Sequence, residues 1–220
     1  MTSLAPRRSI AVALVLAGLA VASPAFAGPP LLCHPFQIGN ARSLPWDGRS
    51  SWYEGKADYK LSNLVADTKS ILVASTPVIV RMETLRRAAI YASRDREVAA
   101  ALLAALSART HEARADAPGY LDLAYVVGAF RQIGGLDRPG SPFAGRSADL
   151  LSLVRGLDPY ALVQKGLFLR PGDSSFEFAA AIISMDGHRA SYDEHLQRAR
   201  KGIQSDPLLA LNLREYLAER

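Results

Sequence analysis

From residue 58 onward the apolar side chains recur every three or four positions. Tyr59, Leu61, Leu64, Val65, Thr68, Ile71 and Leu72 form one stripe that ends near Ala74, the spacing that one face of an α-helix requires. Thr76-Pro77 then supplies a cap and a first-position proline for a helix carrying Val78, Val80, Met82, Leu85, Ala88, Ala89 and Tyr91. Ser93 or Asp95 caps the next, over 97–110, with Val98, Leu102, Leu103 and Leu106 on one side. Pro118 opens another, whose stripe from Tyr120 to Phe130 stops at Gly134-Gly135. After a Gly/Pro-rich loop, the pattern predicts helices over 148–155, 159–169, 173–185, 191–203 and 207–218, with Ser191 and Glu194 spaced as a capping box. No stretch shows the strict alternation of a half-buried strand.

Residues 28–57 follow a different rule. Four prolines and four glycines forbid a long helix there. Yet Leu31, Leu32, Phe36, Leu44, Trp46, Trp52 and Tyr53 are too apolar for a free tail, so this arm is expected to pack across the helices. The fold class is therefore all-α: an irregular solenoid of helical hairpins, as in HEAT or TPR arrays, or an orthogonal helical bundle. Prolines 77, 118 and 159 are 41 residues apart, a period suited to stacked helix pairs, although the sequences that follow them are only loosely alike.

The first 27 residues stand apart again. Arg7-Arg8, an uncharged run from Ile10 to Ala22, Pro24 and Ala25-Phe26-Ala27 have the order of a secretory leader cleaved after Ala27. The apolar run is too short to cross a bilayer as a helix. The expected organisation is a signal peptide at 1–27, an irregular arm at 28–57 and a single all-α domain at 58–220, the mature chain being periplasmic or secreted. With 49% hydrophobic and 21% charged residues the chain has an ordinary globular composition. Its formal net charge of +5 falls to +3 once Arg7 and Arg8 are removed, and the cations are scattered rather than interleaved with aromatics. Nucleic acid is not an expected partner.

Three segments, Cys33-His34-Pro35-Phe36-Gln37-Ile38-Gly39, Leu44-Pro45-Trp46 and Thr76-Pro77 to Arg86 with its Val80-Arg81-Met82-Glu83-Thr84-Leu85, carry a resemblance. In them the chain resembles uncharacterised exported bacterial α-helical proteins of helical-repeat-like type. The resemblance implies export and helical architecture and brings no activity with it.

Candidate chemistry is sparse. The single cysteine, Cys33, is followed by His34; a thiolate beside an imidazole can bind a soft metal or act as a nucleophile. Adjacent residues of an extended segment point apart, and a metal would need further ligands such as His188 or His195. Those two histidines are expected to be a solvated pair. Asp122, Glu177, Arg81 and Glu83 lie among apolar neighbours on helices and are expected to form structural ion pairs on the solvated side. Nucleophile-elbow, phosphate-loop, Cys-x-x-Cys and haem-attachment motifs do not occur, and no cofactor is implied. Trp46, Trp52 and Tyr53 are candidates for contacting a partner. The leading functional expectation is a non-enzymatic scaffold or binding module for an envelope or secreted protein, without stable membrane insertion after leader cleavage. The alternative is a metal-binding protein or thiol-dependent enzyme centred on Cys33 and His34.

Overall fold

The computed structural model describes residues 31–47, 51–111 and 116–218; the leader expected at 1–27 lies outside them. The described residues contain nine α-helices and no strand. After a 3-10 turn at Leu61–Asn63 come α1 (Leu64–Ile71), α2 (Val78–Ala92), α3 (Arg96–His111), α4 (Ala117–Gly135), α5 (Ser147–Leu153), α6 (Pro159–Leu169) and α7 (Ser174–Ser184). A second 3-10 turn, Arg189–Ser191, leads into α8 (Tyr192–Arg200), and α9 spans Pro207–Ala218.

Aspartates start most of these helices. The side chains of Asp95, Asp116, Asp158, Asp173 and Asp206 accept hydrogen bonds from the main-chain N–H groups of Val98, Gly119, Tyr160, Phe176 and Leu209, at 2.8–3.1 Å. Each satisfies an amide that the helix leaves unpaired, worth about 1 kcal/mol. Two starts differ from the sequence reading. Pro77 is the cap position of α2 rather than its first residue, and the Thr76 hydroxyl donates back to the Ile71 carbonyl. Ser191 makes no side-chain cap, because the chain enters α8 directly from the preceding 3-10 turn.

The helices that follow the 41-residue proline rhythm are α2, α4 and α6, and each packs against the next. α3 and α5 form a second layer against α4 and against each other. α7 departs from this ladder, touching α2 and α4 as well as α6 and α8. The packing suits a bundle or a solenoid, with α4 at the centre. That position follows from its composition: Asp122 and Arg131 are its only charged residues, so it is apolar almost all round and is buried almost all round. The arm joins the same core through Leu31, Leu32, Phe36 and Leu44.

Candidate functional site

α2 has almost no solvated face. Arg81, Glu83 and Arg86 are each at most 1% exposed, contrary to the solvated placement expected for Arg81 and Glu83. The arm crosses one side of the helix and supplies main-chain partners there, while α4 covers another. Glu83 accepts from Arg86 Nε and Nη2 at 2.8 and 2.9 Å, from Arg87 Nε at 2.6 Å and from the Phe36 N–H at 3.0 Å. Arg86 Nη1 also reaches the carbonyls of Leu32 and Trp52, and Arg87 Nη1 that of Leu44. Tyr91 Oη donates to the Pro45 carbonyl, and Tyr125 Oη to that of Leu31. Here buried charge is spent on fastening irregular backbone.

Asp122 forms a second buried cluster. Arg81 Nη1 bonds both carboxylate oxygens at 3.0 and 2.7 Å, and Arg109 adds a third contact. Arg81 also donates to the carbonyls of Val73 and Thr76. Burial pushes the Asp122 carboxyl up to about 6, against the pull of Arg81 and Arg109. Both clusters are closed, hydrogen-bonded ion pairs of the structural kind that the sequence suggested.

The remaining candidates fall in three separate places. Cys33 is half-buried, and desolvation raises its thiol to about 11 although Arg86 works the other way. A thiol held neutral is a weak nucleophile and a weak ligand. His34 lies edge-on to Tyr216 at 5.7 Å, in a small pocket with Phe36, Asn212 and Glu215. Trp46 packs edge-to-face on Tyr91 under the Arg86 guanidinium, which lies 4.8 Å from its ring centre. Trp52 and Tyr53 contact Phe143 and line a cavity of about 250 Å³ with Leu136 and Pro142. Among the described residues, no group of three or more His, Cys, Asp and Glu side chains is placed to hold a metal.

His188 and His195 meet around a residue that the sequence reading overlooked, Tyr160. His195 Nδ1 lies 2.6 Å from Glu177 Oε2, and its Nε2 lies 2.9 Å from Tyr160 Oη. The Glu177 carboxylate can only accept, which assigns a hydrogen to Nδ1 and leaves Nε2 facing the phenol. On the outer side of Tyr160 the His188 ring stacks at 4.5 Å, and His188 Nε2 lies 3.6 Å from Asp158. The chain Glu177–His195–Tyr160–His188 thus runs from the interior to the surface across α7, α8 and α6. His195 is only 4% exposed, which corrects the expected solvated pair. The cause is local: α7 is buried from Ser175 to Ser184, so Glu177 has no solvated side to occupy. The signal was present in α8, where Tyr192, His195, Leu196 and Ala199 are the buried positions and have helical spacing.

His188 also lines an open cleft of about 560 Å³ with Arg131, Arg155, Asp158, Asp186 and Leu157. Its two lips turn on Gly156 and Gly187, at φ 77° and 86°, a left-handed conformation that a side chain would strain. Arg131 Nε lies 3.0 Å from Asp186 Oδ2, but the approach is off-axis and gives Oδ2 no hydrogen bond. Asp186 therefore faces Arg131 and Asp158 faces His188, whereas Arg155 is exposed and makes no ion pair among the described residues. The lining sets two arginines against two aspartates, and Arg155 is the arginine that makes no ion pair among the described residues. No protein family, curated protein or solved structure matches the chain.

Proposed function

We propose that the protein is an exported, non-enzymatic α-helical binding module whose cleft receives an acidic group of an envelope or secreted partner. The observation that supports this most is the exposed Arg155 guanidinium, which makes no ion pair among the described residues and lines the cleft together with His188, stacked on Tyr160. A guanidinium binds a carboxylate bidentately and selectively. The neutral Cys33 thiol and the saturated carboxylates of Glu83 and Asp122 favour binding over catalysis. Export rests on the leader pattern at 1–27.

The test is affinity capture from envelope extract with wild type and Arg155→Glu, together with thermal-shift titration against small mono- and dicarboxylates. A partner retained by wild type and lost on charge reversal, and a carboxylate-dependent rise in Tm seen only in wild type, are the expected results. Identical behaviour of the two proteins in both assays overturns the proposal.

A further inference from the structure

A second surface, away from the cleft, has the chemistry of a lipid contact. α6 ends with Phe168 84% exposed and Leu169 48% exposed, and Ile203, in the turn after α8, is 44% exposed. Isolated exposed apolar residues are ordinary on a protein surface. These three gather at one end of the molecule. A Cβ placed on Gly166, in the last turns of α6, would lie 2.8 Å from the Phe176 ring, and one on Gly202 would lie 2.4 Å from Ser174 Cβ. The end of α6 and the α8–α9 turn therefore both abut the first turn of α7. The three apolar tips flank that turn.

The charges around the tips have one sign left over. Asp116, Asp173 and Asp206 stand at the same end, and each is engaged as a helix cap. Asp173 also pairs with Arg170, and Asp206 also accepts from the Ser175 hydroxyl. Lys165, Arg200 and Lys201 are exposed and make no ion pair among the described residues. Lys165 lies one helical turn before Phe168 and Leu169, on the same face of α6.

We propose that this end is a peripheral contact for an anionic lipid bilayer, with Phe168, Leu169 and Ile203 entering the headgroup region and Lys165, Arg200 and Lys201 meeting lipid phosphates. Apolar tips with exposed cations on the same elements, of which Lys165 lies 6.0 Å from the Tyr120 ring centre and none makes an ion pair among the described residues, match such a surface twice over, by apolar burial and by charge. Among the described residues no helix is long and apolar enough to cross a membrane, so the contact is superficial.

The test is co-sedimentation of the full chain, lacking only the leader, with phosphatidylcholine vesicles and with vesicles containing phosphatidylglycerol. Binding is expected only with phosphatidylglycerol and is expected to disappear at high salt. Each cation removed, as in Arg200→Gln or Lys201→Gln, is expected to weaken partition about fivefold. Phe168→Ser is expected to weaken it about tenfold or more while leaving the circular dichroism spectrum unchanged. No sedimentation with either vesicle overturns the proposal, as does equal sedimentation with both or a Phe168→Ser variant that binds like wild type. Concentration-dependent self-association that Phe168→Ser abolishes, without vesicle binding, assigns the patch to a second copy instead. Arg155→Glu keeps vesicle binding, so failure of the cleft proposal and failure of this one are separable.

Discussion

Arg86 on α2 and His195 on α8 are both buried beside a glutamate, yet the two neighbourhoods do different work. The Arg86 guanidinium is permanently charged, and its donors end on Glu83 and on the carbonyls of Leu32 and Trp52. His195 has only two ring nitrogens, and they join Glu177 to Tyr160, whose other neighbour, His188, stands in the open cleft. A saturated cluster of fixed charges makes a fastening, whereas two single hydrogen bonds that end under a ring stacked at the surface can hold a recognition wall in place. Burial alone does not distinguish the two; what distinguishes them is where the last bond of each network points.

The largest effect is expected from breaking the fastening. Glu83→Ala leaves Arg86, Arg87 and the Phe36 N–H without their shared acceptor, so urea denaturation should show a loss of about 3–5 kcal/mol, the cost of unpairing a buried charge. A loss below about 1 kcal/mol would mean that apolar contacts alone hold the arm.

Next comes the neighbouring cluster, which is not indifferent to pH. The folded chain holds the Asp122 proton up to about pH 6, against 3.8 for an unperturbed group, so protonation favours the folded state. This contribution is fully present below about pH 4 and is lost as pH rises through about 6. The stability of wild type minus that of Asp122→Asn should therefore fall by about 3 kcal/mol from pH 4 to 7, at 1.36 kcal/mol per pKa unit. A flat difference in paired denaturation curves would mean that Arg81 and Arg109 fully offset the burial.

A smaller change sharpens the contrast at the other region. Tyr160→Phe keeps the ring under His188 and removes only the hydroxyl facing His195, which should cost about 1 kcal/mol. Carboxylate binding in the cleft should weaken more than that loss of stability suggests, as isothermal titration would show. Unchanged binding would detach the buried chain from the cleft. Smallest in stability is Arg155→Glu, expected within about 0.5 kcal/mol of wild type because the side chain is exposed, while carboxylate affinity disappears.

Much of the helical framework could be read from the chain. The span 159–169 is that of α6, and Asp158-Pro159 and Asp206-Pro207 start helices as cap and first residue. Periodicity and caps are local, so a local reading finds them. The buried charges depend on partners far along the chain. Asp122 looks solvated when α4 is read alone, because its partner Arg81 lies 41 residues earlier. That separation equals the interval from Pro77 to Pro118, so the two residues hold the same offset from the prolines that precede them, one on α2 and the other on α4. The proline rhythm, carried one step further, would have paired them. Tyr160 had no such signal, since its role comes from α7 and α8 converging on α6.

The Gln37 N–H donates to the Asn212 side chain, and the Asn212 amide donates back to the Gln37 carbonyl, both at 2.8 Å, across 175 residues of sequence. The arm is synthesised well before its partner on α9. Until α9 exists, the Gln37 backbone lacks the matching pair that completes its closure, and such distant contacts form slowly. The reciprocal bond thus couples the arm to α9: a chain that lacks α9 loses both bonds to Gln37, and with them the longest-range closure of the arm.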